Sequence, residues 1–137
     1  MIYIASPLDQ NPDRLGDVPE LIRLLLDNGA TAVYNPGTAW ALQDPNGFSH
    51  KQVQDINVEA LKHADGVLAV LPPGVPTVGT PMEILIARQA SIPVVVIGTR
   101  SLVALTWLDV PVVADPQVAV ESVVRMASEQ TEWGSLL

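Results

Sequence analysis

The spacing Thr80-x-x-Glu83 carries the most chemistry in this sequence. It opens a predicted helix through Ile84 to Ala90, where unpaired backbone N–H groups and the positive end of the helix dipole converge. Such a position suits a bound phosphate, or an ionised carboxylate that attacks or stabilises an electron-poor carbon. The surrounding stretch, Val75-Pro76-Thr77-Val78-Gly79-Thr80-Pro81-Met82-Glu83-Ile84, follows the apolar run Gly66-Val67-Leu68-Ala69-Val70-Leu71. Strand, loop and helix in that order put the loop at the carboxyl end of a strand, where open α/β sheets bind ligands. A plainer reading fits the same residues. Thr80 and Glu83 form a capping box with Pro81 at the first helical position, which sets Glu83 in the first turn serving only the backbone.

The elements that must hold this loop are legible along the chain. Apolar blocks at Ile2–Ala5, Thr31–Tyr34, Gly66–Leu71, Ile92–Ile97 and Val110–Val113 read as five strands. Pro111 marks the last of these as an edge. Asp17-x-x-Glu20 opens a helix that stops at Asn28-Gly29. Ser49 caps another, carrying Val53, Ile56, Val58, Ala60 and Leu61, and Asp115-Pro116 starts the last, with Val118, Val120, Val123, Val124 and Met126 inward. Ser101 to Trp107 reads as a short helix or turn, and Asn35 through Phe48 as a long irregular loop bearing Trp40. Strand and helix alternate, so the expected fold is a single-domain, doubly wound (flavodoxin/Rossmann-like) α/β fold with a five-stranded parallel sheet and helices on both faces. The domain is expected over residues 1–127, with 128–137 as a C-terminal tail.

Composition bounds the partners. At 137 residues, 48% hydrophobic and 16% charged, the chain has material for one core and for strands buried on both faces. A net charge of −8 with only seven Lys and Arg cannot build a basic patch, so nucleic acid is not an expected partner. A small anion remains compatible, because backbone amides bind phosphate without lysine. The sequence has no cysteine and two lone histidines, His50 and His63, so no metal site is expected. No apolar run approaches the roughly 18 residues of a membrane span, and Met1-Ile2-Tyr3-Ile4-Ala5 lacks the basic start of a signal peptide. A cytoplasmic protein without membrane partners is the expectation.

Four stretches, taken together and in order, resemble the nucleoside 2-deoxyribosyltransferase superfamily, which includes nucleoside 5′-monophosphate N-glycosidases. They are Ile2-Tyr3-Ile4-Ala5-Ser6-Pro7-Leu8, Asn57-x-x-x-Leu61-x-x-Ala64-Asp65, Val78-Gly79-Thr80-x-x-Glu83, and Ala87 through Val96. The likeness covers about residues 1–98. Pro73-Gly74 through Glu83 also resembles the Pro-Gly-Gly-x-Gly-Thr-x-x-Glu loop of nucleotide phosphoribohydrolases.

The resemblance implies cleavage or transfer at the N-glycosidic bond of a nucleoside or its 5′-monophosphate. Glu83 would be the nucleophile, Tyr3 would position its carboxylate, and no cofactor would be needed. At a helix N-terminus Glu83 is expected to stay ionised. Asn57 stands where the family carries an aspartate that handles the leaving base; an amide hydrogen-bonds a base but cannot protonate it. Thr77 stands where the transferases carry an aspartate for the sugar 5′-hydroxyl and the monophosphate hydrolases a serine for the phosphate, which tilts the substrate towards a nucleotide. Ser6, Pro7, Gly79 and Thr80 would line the phosphate and sugar, Trp40 would stack on the base, and Asp65 would assist near the substrate. A homo-oligomer is implied as well. The alternative is a non-catalytic nucleotide-binding or sensor module of the same fold, motivated by Asn57.

Overall fold

The computed structural model describes residues 1–6, 17–40, 47–71, 79–98 and 108–136. Five strands, β1 (Ile2–Ala5), β2 (Val33–Tyr34), β3 (Gly66–Val70), β4 (Val94–Ile97) and β5 (Val112–Val113), pair in parallel in the order β2-β1-β3-β4-β5. Residues Ile2 to Ala5 of β1 oppose Gly66 to Ala69 of β3, and Tyr3 opposes Tyr34 of β2. The expected doubly wound α/β sheet is therefore present, with Pro111 leading into an edge strand.

The strands lack alternation because both faces are covered. Helices α1 (Asp17–Asp27) and α5 (Pro116–Leu136) pack Leu21, Leu25, Val120 and Val123 against Ile2, Ile4, Leu68 and Val95. On the other face, α3 (His50–Lys62) and α4 (Gly79–Gln89) pack Leu61, Ile84 and Ala87 against Tyr3, Ala5, Val67, Ala69, Val94 and Val96. A short helix, α2 (Pro36–Trp40), links β2 to this second face. Gly66 allows α5 to lie close over β3, since a Cβ there would stand 3.1 Å from Val123 Cγ2.

Several boundaries differ from the sequence expectation, each for a local reason. Asn35-Pro36 starts α2 rather than a continuous loop, because proline suits the first helical position and Asn35 Oδ1 accepts from the Gly37 amide at 3.1 Å. Glu20 turns to Arg23 on the surface of α1 instead of closing a capping box. Val118, expected inward, is exposed, whereas Val120 and Val123 face the sheet from α5, and Val53, Asn57 and Leu61 form the buried stripe of α3. Helix α5 runs on through residues 128–136, as Ser128-Glu129-Gln130-Thr131-Glu132 carries no helix stop. The expected element at Ser101–Trp107 lies outside the described residues. Ser49 does cap α3, with Gln52 returning the hydrogen bond at 2.7 Å, and Asp115 Oδ1 caps α5. Among the described residues no helix is long and apolar enough to cross a membrane.

The helices α1 and α4 end alike. Ala30 N bonds to Leu25 O and Gly29 N to Leu26 O after α1; Ile92 N bonds to Ala87 O and Ser91 N to Arg88 O after α4. Both are Schellman closures, in which one residue takes a left-handed backbone. Gly29 fills that position at φ 102°, but Ser91 fills it at φ 59° with a side chain present. Ser91→Gly is expected to stabilise the fold by about 0.5–1 kcal/mol. The denaturant midpoint should rise with an unchanged slope, and an unmoved midpoint would show that Ser91 carries no strain.

Candidate active site

The order β2-β1-β3 means that the chain leaves β1 in opposite directions, and the carboxyl ends of β1 and β3 flank the resulting crevice. Ser6 ends β1, and α4 starts at Gly79 beyond β3. Along α4 the buried stripe is Thr80, Ile84 and Ala87, at 1%, 0% and 0% exposure. Glu83 falls on the same stripe, since positions three and four apart share a helix face. A carboxylate therefore sits among residues that pack on the sheet.

Its partner is Tyr3, whose hydroxyl donates to Glu83 Oε2. Tyr3 is fully buried in β1, with its ring among the core residues under α4. Burial pushes the Glu83 carboxyl up to about 7, and the Tyr3 hydrogen bond lowers it only in part. The expectation of a permanently ionised Glu83 is corrected here. Helix α4 begins at Gly79, so Glu83 lies past the first turn, and the dipole effect fades within that turn. Desolvation then wins. Tyr3 is pushed up by its own burial and by the Glu83 charge, which keeps it the donor of the pair.

The capping box at Thr80 is not formed either. Thr80 lies inside the helix, and the side chain of Glu83 reaches across to β1. The Thr80 hydroxyl is buried and has no hydrogen-bond partner among the described residues, and the same holds for Ser6, 9% exposed. Two buried hydroxyls without partners are costly in a finished interior, and each is a donor and acceptor available to a ligand.

Asn57 projects from α3 into the same layer at 7% exposure, between the core positions Val53 and Leu61. Its Oδ1 accepts from the Tyr34 hydroxyl at 2.8 Å. Tyr34 in turn stacks on Tyr3, with ring centroids 5.4 Å apart and planes inclined by 15°. The sequence reading assigned Tyr34 no role. The two tyrosines of the chain thus stand side by side on adjacent strands, one reaching Glu83 and the other Asn57.

Asp65 does not belong to this group. It precedes β3, so it lies at the amino end of the sheet, opposite the crevice, where its carboxylate meets the Met1 ammonium at 2.5 Å and is half exposed. Its expected role near the substrate is withdrawn. Asp55 and Glu59 face outward on α3, Asp55 pairing with Lys51 at 2.8 Å. Trp40 is the last residue of α2, and the base-stacking role expected of its side chain lies outside the described atoms. Pro7 and Thr77 lie outside the described residues.

Known proteins resemble this chain. The family described as "Nucleoside 2-deoxyribosyltransferase" matches residues 2–128. Among solved structures, the 2-deoxyribosyltransferase of the psychrotolerant bacterium Bacillus psychrosaccharolyticus aligns over 88% of this chain and 89% of its own, at 26% identity and a TM-score of 0.68. A conserved protein from Enterococcus faecalis V583 aligns over 90% and 96% respectively, at 20% identity and a TM-score of 0.77. A Leishmania mexicana protein described as a 2-desoxiribosyltransferase aligns over 75% and 68%, at 22% identity and a TM-score of 0.54. These last two bear on the fold alone. No curated protein matches. Since the family match takes in every strand, the Tyr3–Glu83 pair and the helix carrying Asn57, the chain belongs to the nucleoside 2-deoxyribosyltransferase family.

Proposed function

We propose that this protein cleaves the N-glycosidic bond of a nucleoside 5′-monophosphate, with Glu83 as the nucleophile. The observation that carries the reading is the Glu83 carboxylate, drawn off its helix onto the Tyr3 hydroxyl beside the crevice instead of capping the backbone. In the first step a Glu83 oxygen bonds to C1′ as the bond to the base nitrogen breaks, and the base leaves with the electron pair. The transition state resembles an oxocarbenium ion, which a carboxylate stabilises. In the second step water or a second base attacks C1′, the bond from C1′ to the Glu83 oxygen breaks, the proton that the nucleophile loses passes through solvent to the departed base, and the carboxylate is regenerated. Two displacements at C1′ retain its configuration. Tyr3 holds the second carboxylate oxygen and spreads its charge when the glutamate is ionised.

The 5′-monophosphate is supported by the buried hydroxyls of Ser6, just after β1, and Thr80, in the first turn of α4, both without a partner among the described residues. Hydroxyls and helix amides recognise phosphate without a cation, in keeping with the few Lys and Arg of this acidic chain. Thr77 adds to this from the sequence alone.

A second reading is favoured by Asn57. Its amide is tied to Tyr34 and cannot protonate a leaving base, which suits a domain that binds nucleotides without turning them over. Chromatography of the purified protein with ribo- and deoxyribonucleoside monophosphates, and with the matching nucleosides, separates the two. Free base from monophosphates alone is the expected result. Base exchange only after a second base is added would make the protein a transferase. No base from any compound, with a nucleotide still raising Tm, would leave the binding module.

A further inference from the structure

We infer that Tyr34 is a positioning residue that fixes the orientation of the Asn57 amide, so that the site meets the base with a hydrogen-bond donor. This rests on the reading of the crevice as a nucleotide site. A primary amide has two ends of nearly equal size and opposite polarity, and without a fixed partner either can face a ligand. Here the Oδ1 end accepts from the Tyr34 hydroxyl at 2.8 Å, and the Nδ2 hydrogens are assigned to the base.

Tyr34 is itself held from two sides. Its backbone is paired with Tyr3 in the β1–β2 register, and its ring stacks on Tyr3 at 5.4 Å and 15°. Burial pushes its phenol up, so the hydroxyl keeps the proton that it donates. The same ring pair therefore sets both polar groups, Glu83 through Tyr3 and Asn57 through Tyr34. The substrate class that follows is a nucleotide whose base turns an acceptor, a ring nitrogen or carbonyl oxygen, towards α3. A base turning an amino group to the same place would meet two donors and no acceptor.

Calorimetric titration of Glu83→Gln with the common ribo- and deoxyribonucleoside monophosphates measures binding without turnover. The tightest nucleotide is then compared with an analogue in which carbon replaces one acceptor of the base at a time. One of these replacements is expected to cost about tenfold in affinity. Added to the same background, Tyr34→Phe keeps the ring stack and removes only the hydroxyl. It should weaken the nucleotide about tenfold and reduce the penalty of that replacement. A ring that serves packing alone would weaken nucleotide and analogue equally, and that result overturns the inference. Asn57→Asp, titrated at pH 8 and above, reads the link from the other end, because an ionised carboxylate still accepts from Tyr34 but offers the base no donor. It should abolish the discrimination, and discrimination retained in Asn57→Asp overturns the inference even if Tyr34→Phe does not fold. Nucleotide binding that neither substitution alters sinks the role of Tyr34 and leaves the proposed function intact. No nucleotide binding by Glu83→Gln or by the unaltered protein sinks both.

Discussion

Glu83→Gln is expected to abolish turnover and, at alkaline pH, to make the protein more stable. The amide keeps the shape of the carboxyl group and can still accept from the Tyr3 hydroxyl, but it is a far weaker nucleophile at C1′. Loss of about 10³-fold or more in kcat is expected. The stability effect follows from the pKa. Folding holds the Glu83 carboxyl at about 7 against an ordinary 4.5, a difference worth roughly 3 kcal/mol. Between those values the unfolded chain has released the proton while the folded chain retains it, so Glu83 lowers stability progressively as pH rises through the window. Above pH 8 the whole cost is present; below about pH 4.5 it is absent. A glutamine has no such dependence. The variant should therefore melt roughly 5–10 °C higher than the unaltered protein at pH 8, with the difference shrinking towards zero near pH 5. Melting curves at the two pH values test this. An inactive variant that is equally or less stable at pH 8 would show that Glu83 is not held against its ionisation.

A stabilising loss of function of this kind marks a group placed for chemistry at a cost to the fold. The hydroxyls of Ser6 and Thr80 share that character, being buried without partners among the described residues. The tyrosine pair does the opposite. Its rings are packed and both hydroxyls are satisfied, so it is a rigid base on which the unfavourable groups are mounted.

Much of this was legible before the structure, for physical reasons. Strands covered on both faces must be apolar at every position, which made β1, β3 and β4 plain. Glu83 and Asn57 could be read as polar intrusions on stripes of otherwise buried residues, at spacings of three and four. Tyr34 could not, because its meaning depends on β2 pairing with β1, and strand order does not follow from alternation. With the two tyrosines placed on neighbouring strands, the pair explains why Asn57 is tolerated in a core stripe. Asp65 was misplaced although its direction was readable: a residue just before a parallel strand lies at the end away from the crevice. The ionisation of Glu83 was misjudged because the helix starts two residues earlier, at Gly79 rather than Pro81, which moves Glu83 from a capping position to a desolvated one. Residues 7–16 and 72–78, with Pro7 and Thr77, lie outside the described residues.

Tyr3→Phe should shift the pH dependence of the reaction rather than abolish it. The substitution keeps the buried ring and its stack on Tyr34 and removes only the donor to Glu83. That hydrogen bond favours the ionised carboxylate, and hydrogen bonds to charged groups contribute roughly 1.5–3 kcal/mol. Without it, burial acts unopposed and the Glu83 carboxyl rises further above its present value of about 7. In the unaltered protein kcat/KM should climb about tenfold per pH unit below that value and level off above it. In Tyr3→Phe the rising limb should move up by about one to two pH units. Activity at pH 7 would then fall about 5- to 50-fold and recover in large part by pH 9. The loss of stability should follow the same pattern, greatest above pH 8, where the carboxylate is charged, and small at pH 5. Measured pH–rate profiles of the two proteins decide it. A uniform drop at every pH, with the limb unmoved, would reduce Tyr3 to a packing residue and remove the main support for Glu83 as a nucleophile tuned by its partner.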